Sequence, residues 1–501
     1  MKTHSNSPKM VEVMPLGGFD HPLTYGITPS LQDGIRVGSL VRIPLGARQV
    51  IGVVSSLCPE HLPVVQKLRF VSAMVQPEPV LSQELVELAK WVSSYYACSL
   101  EVTLGAMIPA SVRDGMHAKT RRMLEIIPVT KEEASGLLGR SPKQKQAYAR
   151  LREISGKSVD AVDWAKKWGI SPAVIAGLVS KGLVKQTFAE VDRDAYADQW
   201  SEHTDESVES LNELTDEQAQ AKAEIFEDLN TGQYNTRLLQ GVTGSGKTEV
   251  YCQAMEKVLA EKGGVLFLVP EVALAPQTVD RLRARFGKEG EQVVVWHSHL
   301  SAGERLDAWR KLVHGKARIV VGARSAVFAP VQNLRLVVVD EEHEPAYKQE
   351  ESPRYHGRDV AVYRAYLTGA VCLLGSATPS LETAHNVACA KYKKSILSQR
   401  IDGRELPLVH LVDMRREALK QKAPPILSQS LIEALRQRYE DREQSILFLN
   451  RRGFNTTMFC TECGEVEQCR DCSIAMTYHR TDHYLHCHLC GFSKPAPQFC
   501  G

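Results

Sequence analysis

Residues 237–263 read RLLQGVTGSGKTEVYCQAMEKVLAEKG, and the octet GVTGSGKT, Gly241 to Thr248, fits G-x-x-x-x-G-K-[ST] at every position. An apolar, strand-like run precedes it. Behind it Val250, Ala254 and Val258 share one helical face, and Gly263 closes the run. A strand, a glycine loop and a helix in that order cradle phosphate. Glycines let backbone N–H groups curl around the oxygens, and the helix N-terminus adds its positive pole. The candidate nucleotide contacts are therefore Gly241, Val242, Thr243, Gly244, Ser245, Gly246, Lys247 and Thr248. Lys247 is placed to reach the β/γ oxygens as a catalytic cation, and the Thr248 hydroxyl to hold Mg²⁺. ATP and Mg²⁺ are the expected cofactors.

Ninety residues on, LRLVVVDEEH ends an apolar run, Leu336 to Val339, with Asp340 and Glu341. Such runs are buried parallel strands, and ligands sit at their carboxyl ends. Asp340 is expected to hold Mg²⁺ and Glu341 to polarise the attacking water. Acidic groups after strands also cap helices, so it is the pairing with the phosphate loop that carries this reading. A third strand-to-helix turn, LLGSATPSLET, offers Ser376 and Thr378 as small polar relays.

Outward from this core the chain is a mosaic. Its 501 residues are enough for several domains, and its 43% hydrophobic and 24% charged content is that of a globular protein. A net charge of +2 means that a nucleic-acid partner is held by local patches. No stretch approaches the roughly 18 apolar residues of a membrane span, and the start lacks a secretory h-region. Cytoplasm is the default. Residues 1–112 alternate and are punctuated by Gly34, Gly38, Gly46 and Gly52, as in a small barrel, with a helix at SQELVELAKWVSSYY. Residues 113–200 hold three short amphipathic patterns, with Ser141 and Ser171 each before a proline, suggesting a winged-helix-like unit. The acidic stretch 190–213 reads as a linker. Strands then alternate with helices over 201–400, the mark of a parallel α/β lobe.

Cysteine use is lopsided: five of 12 are scattered over the first 459 residues, and seven fall in the last 42. In a reducing compartment, paired C-x-x-C units read as metal knuckles before redox pairs. Cys469, Cys472, Cys487 and Cys490 are close to a zinc-ribbon template and predict one complete Zn²⁺ site. Cys460 and Cys463 pair next with Cys500, which leaves them one ligand short.

The stretches LLQGVTGSGKTEVY, LVPEVALAPQT, HSHLSAGERLDAW, VGARSAVFAP, VVVDEEH, YKQEESPRYHGRDVAVYRA, LGSATPSLET and ILFLNRRGF, with the cysteine tail, resemble superfamily 2 DNA helicases. Within them they resemble the bacterial primosomal replication-restart helicases. The resemblance runs along nearly the whole chain and is weakest over 113–213. It implies an α/β multidomain architecture: a β-rich 3′-end DNA-binding domain (1–112), a winged-helix-like domain (113–200) and a RecA-like lobe with the ATP site (201–400). The beginning of a second lobe (401–459), as a helix and a strand, and an incomplete cysteine-rich insertion (460–501) would follow.

The resemblance also implies site roles. Gln218 would read adenine. Phe19 would stack on a nascent 3′ end, with Asp20 accepting from the 3′-hydroxyl and Gly46 allowing close approach; His21 stands where Tyr is usual. Tyr347, Tyr355 and His356 would stack on bases, and Arg324, Ser325, Arg354 and Arg358 would meet phosphates. Pro353 stands where an aromatic residue, usually Trp, is the rule, and Pro270–Glu271 resemble an early strand-tracking motif. Two zinc sites are expected in the family, one of them complete here. The implied activity is ATP-dependent 3′-to-5′ unwinding at stalled or abandoned forks, with branched and single-stranded DNA as ligands. The implied partners are primosome proteins and single-strand-binding protein, with no membrane, in the bacterial cytoplasm at the nucleoid. The alternative is a fork-binding assembly platform without productive hydrolysis. Arg451 and Arg452 come too early for arginine fingers, so the chain reads as the first two-thirds of such a helicase, with weak ATP turnover.

Overall fold

The computed structural model describes residues 10–57, 68–116, 120–139, 141–154, 158–190, 214–270, 276–286, 293–401, 403, 407–421, 426–448, 458, 460, 463–479 and 483–499. The 190–213 linker reading, Glu271, Arg451, Arg452 and Cys500 fall wholly or mainly outside them. Two compact units result, Met1–Glu405 and Leu406–Gly501.

The first unit opens with strands β1 (Met10–Pro15), β2 (Leu23–Gly26), β3 (Leu40–Leu45), β4 (Arg48–Leu57) and β5 (Ala73–Met74). They form one antiparallel sheet in the order β2-β1-β4-β3-β5. A bridge between Gly26 and Phe70 draws the two edges together, so the sheet curls toward the small barrel that the glycine punctuation predicted. Helices α1 (Gln83–Tyr95), α2 (Leu100–Met107) and α3 (Ala110–Arg113) follow. The buried stripe of α1, Leu85, Val86, Leu88, Ala89 and Val92, belongs to a core that continues without a break into the α/β lobe.

A small module comes next: β6 (Thr120–Ile126), α4 (Lys131–Leu138), α5 (Pro142–Arg152), β7 (Val159–Asp160), α6 (Ala161–Trp168), α7 (Pro172–Ser180) and β8 (Val184–Glu190). Its sheet runs β7-β6-β8, so the central strand β6 comes before the helices in sequence. Ser141 and Ser171 sit at N-cap positions with Pro at the first helical turn, although neither hydroxyl makes a capping bond. Between α6 and α7, Gly169 adopts a left-handed conformation at φ +63° and turns the chain in helix-turn-helix fashion.

The lobe holds α8 (Asp216–Asn230), β9 (Asn235–Gly241), α9 (Lys247–Ala260), β10 (Gly264–Leu268), α10 (Pro276–Phe286), β11 (Val293–Trp296) and α11 (Ala302–Val313). It continues through β12 (Ile319–Gly322), β13 (Leu334–Val339), α12 (Gly357–Thr368), β14 (Val371–Ser376), α13 (Leu381–Ala388) and β15 (Lys393–Leu397). All seven strands are parallel, in the order β11-β12-β10-β13-β14-β9-β15. Their apolar runs are buried on both faces, as a sheet covered by helices requires. The order places β13, β14 and β9 side by side, so the three motif loops leave neighbouring strands at one edge.

The second unit contains α14 (Met414–Gln421), α15 (Gln429–Glu440) and a three-stranded ribbon, β16 (Thr477–His479), β17 (Tyr484–His486) and β18 (Ser493–Pro495). The strand expected at ILFLN is not formed among its described residues. Ile446 and Phe448 are exposed, and no strand pairs with them among the described residues.

Candidate nucleotide, DNA and metal sites

The phosphate loop springs from the end of β9. Gly244 and Gly246 take φ of +80° and +78°, which only glycine adopts without strain, and Gly246 caps α9. Thr243 and Gly244 are exposed at the mouth. Lys247 Nζ donates to the Gly241 carbonyl at 3.0 Å and lies 3.9 Å from Glu341 Oε1. Ser245 Oγ is buried with no hydrogen-bond partner among the described residues, an orphan group that a phosphate oxygen would satisfy. Two braces hold the loop from outside: Ile401 N–H donates to Gly244 O at 3.0 Å, and Val242 N–H to Leu397 O at 3.2 Å. Gln218 is buried. Its amide donates to Ser245 O at 3.0 Å while its Oε1 accepts from Thr215 N–H, so it ties α8 to the phosphate loop.

Asp340 and Glu341 emerge where β13 ends. Tyr251, buried on α9, donates to Asp340 Oδ1 at 3.1 Å, linking the phosphate loop's helix to the acidic pair. Burial, with the Glu341 charge behind it, holds the Asp340 carboxyl above its ordinary range. A carboxylate so placed calls for a cation, and the donor set, Asp340 with the Thr248 hydroxyl, fits Mg²⁺. Glu341 sits at φ +44°, a left-handed conformation that is uncommon for a side-chain-bearing residue. His343 then spans to the third motif: its Nδ1 lies 2.8 Å from Ser376 Oγ and its Nε2 3.4 Å from Thr378 Oγ1. The three turns read separately in the sequence are one hydrogen-bonded assembly.

Sequence reasoning missed its central member. Glu342 is fully buried. It accepts from Arg358 Nη1 (3.1 Å), Ser380 N–H (2.8 Å), Ser380 Oγ (3.0 Å) and Thr383 Oγ1 (2.8 Å). It thus welds the acidic loop to α12 and to the cap of α13. A run of three acids gives no sign of which one turns inward.

Several expected DNA contacts need correction. Tyr347 and Tyr355 are 1% and 4% exposed, so neither ring offers a face to a base. Tyr347 donates to Asp340 O at 2.7 Å, and Tyr355 packs edge-on to Phe328 at 5.0 Å. His356 is half-buried, and its N–H donates to Tyr96 OH of the N-terminal region at 3.1 Å. Arg358 is committed to Glu342 and Asp359. Arg354 is exposed and donates to Glu350 O. Arg324 grips the loop after the acidic motif, donating to Ala346 O at 3.0 Å and Lys348 O at 2.5 Å. What remains open is a cleft of about 230 Å³ that brings together Pro270, Ser298, Arg324, Ser325 and Gln349.

At the N-terminus, Phe19 is half-buried against the shared core, and Asp20 is exposed beside His21 Nδ1 at 2.6 Å. Gly46 opens the two-residue β3–β4 turn at φ +61°. The register, Pro15 opposite Gly52, puts the Phe19 turn and the Gly46 turn at the same end of the sheet.

In the second unit, the sulfurs of Cys469, Cys472, Cys487 and Cys490 all lie within 4.8 Å of one another. Cys469 and Cys490 are 3.6 Å apart, close to the edge of a tetrahedron with Zn–S bonds of about 2.3 Å. Backbone amides of Cys490 and Leu489 bring the Cys487 thiol down to about 7, toward the thiolate a metal binds. Cys460, Cys469 and Cys487 start identical knuckles: each N–H donates five residues ahead, and each carbonyl accepts from four ahead. Gly464, Ser473 and Gly491 supply the positive φ that the turn needs. Cys460 and Cys463 therefore form a third knuckle, while Cys500 lies outside the described residues.

A phosphate loop, an acidic pair and an S-A-T turn on three adjacent parallel strands define a helicase-type nucleotide lobe. The sequence model of the DEAD/DEAH box helicase matches residues 215–387, that of the 3′DNA-binding domain (3′BD) residues 11–109, and that of the PriA DNA helicase Cys-rich region (CRR) domain residues 469–495. The chain is 36% identical to replication restart protein PriA of Bacillus subtilis over 96% of its length and 66% of that protein's. It is 35% identical to PriA of Chlamydia muridarum over 98% of its length and 65% of the relative's. The corresponding values for PriA of Synechocystis are 41%, 73% and 44%. The chain belongs to the replication restart protein PriA family, and it spans 65–66% of the length of the first two relatives.

Proposed function

We propose that this chain carries the ATP-binding and 3′-end-binding parts of an ATP-dependent 3′-to-5′ DNA helicase. That helicase recognises stalled or abandoned replication forks and initiates primosome assembly for restart. The observation that supports this best is the convergence of Lys247, Asp340 and His343–Ser376 at neighbouring strand ends, in a lobe whose core is shared with the N-terminal sheet. Lys247 would hold the β/γ-phosphates. Thr248 and Asp340 would hold Mg²⁺, which neutralises charge developing on the transferred phosphoryl group. Glu341 would orient water, and His343 would carry the nucleotide state to Ser376 and Thr378. Phe19, Asp20 and Gly46 form the proposed 3′-end pocket, and the cleft at Arg324 and Ser325 the proposed strand track.

The division of labour follows the chain: 1–112 for 3′ ends, 113–200 winged-helix-like, 201–400 for ATP, 401–459 opening a second lobe, and 460–501 for zinc. Primosome proteins and single-strand-binding protein are the proposed partners, in the cytoplasm at the nucleoid. The test is Lys247→Ala. The substituted chain should lose ATP hydrolysis and still bind a fork with a free 3′ end. Hydrolysis that persists, or 3′-end binding that is absent from the unsubstituted chain, sinks the proposal.

A further inference from the structure

The small module of β6 to β8 is basic. Residues 120–190 hold 13 Lys and Arg against 7 Asp and Glu, in a chain whose whole balance is +2. Its fold would ordinarily send α7, the second helix of the α6–α7 turn, into a DNA major groove. That helix cannot do the work. From Pro172 to Ser180 it reads PAVIAGLVS, without a charge, and its exposed positions are Pro172, Ala173, Ala176 and Ser180. Reading base edges needs donors and acceptors, and holding phosphates needs cations.

The cations are on another face. Trp168, at the end of α6, is 40% exposed. The Arg150 guanidinium of α5 lies 4.4 Å from its ring centroid and Lys167 Nζ 5.7 Å. Lys143 stands two turns before Arg150 on the same side of α5 and is exposed, as is Lys166. The acidic neighbour is Glu153, paired with Arg150 at 3.3 Å in an exposed contact of little strength that a phosphate can replace.

We propose that this module binds DNA through the α5–α6 face, with Lys143, Arg150 and Lys167 on the phosphodiester backbone and Trp168 against a sugar or base, and not through α7. This rests on the DNA-binding reading above. The matching polyanion carries a charge every few ångströms, which suits cations spread over two helices. The test uses the full chain, a labelled forked DNA and a salt series. Lys143→Glu with Lys167→Glu should weaken binding about tenfold and flatten the salt slope by about 2. Trp168→Ala should weaken binding with the slope kept. Ala173→Glu with Ala176→Glu should leave affinity within about twofold, since α7 makes no phosphate contact. Thermal melts confirm that each variant folds. Unchanged affinity and slope in the lysine variant, or the larger loss in the α7 variant, overturns the proposal. Single strands with free and blocked 3′ ends, measured beside the forks, separate the two readings. Loss of 3′-end preference in the unsubstituted chain condemns the function, while the salt slopes still judge this face.

Discussion

Glu342 and Asp340 sit two residues apart and answer to different physics. Glu342 is buried and fully satisfied, so removing its partner strands a charge. Arg358→Ala should therefore destabilise the first unit by about 3–5 kcal/mol, read from denaturant midpoints at constant slope. Gly375→Ala should be comparably harmful, because its Cβ would lie 1.5 Å from Tyr251 Oη and drive that ring off Asp340. Asp340 is buried with its pKa raised, so the folded chain binds that proton more tightly than the unfolded chain does. The stability this contributes is present at low pH and is lost as pH rises through the raised pKa. Asp340→Asn should accordingly raise Tm near neutral pH without Mg²⁺ and abolish stabilisation by Mg²⁺–nucleotide. A Tm that falls, or one that still responds to Mg²⁺–nucleotide, contradicts this account. For Lys247→Ala, hydrolysis should drop about 10²–10³-fold, the loss typical of one preorganised charge contact.

Among elements, those whose sequence carries its own period were legible. The β9–loop–α9 unit, the apolar strand before Asp340 and the four-cysteine ribbon all repeat a local rule. What was not legible depends on distant packing. Tyr347 and Tyr355 read as stacking rings because exposure is invisible in a sequence, yet the loop folds inward around Asp340 O and Phe328. Ile446 to Phe448 form no strand for the converse reason: a strand exists only where a neighbour pairs with it, and none does among the described residues. The knuckle at Cys460 did leave a signal, the Gly four residues on, as in the knuckle at Cys487. Cys472→Ser should release one equivalent of zinc and make 458–499 protease-sensitive, since ribbon folding energy is metal-binding energy. ATP binding by the first unit should be unchanged, and a loss of it would contradict the two-unit division.

At the scale of the whole first unit, the N-terminal sheet is joined to the lobe by more than a linker. Trp91 stacks on Tyr363 of α12 at 4.0 Å and 9°, and Tyr96 accepts from His356 N–H. Trp309 Nε1 donates to Val80 O at 3.4 Å. Trp91→Ala should lower the melting temperature of both regions together, by about 4 °C or less for each kcal/mol removed in a unit this large. Separate melting of the N-terminal region would count against it.

The continuous core that runs from Met14 and Leu40 through α1 to Leu374 also limits how these parts can be rearranged. A chain cut after residue 112 would leave the stripe of α1 facing water, a patch that invites aggregation. End recognition and the nucleotide site are therefore inherited as a pair. Neither can be exchanged for a homologous part, or shed, without rebuilding the seam between them.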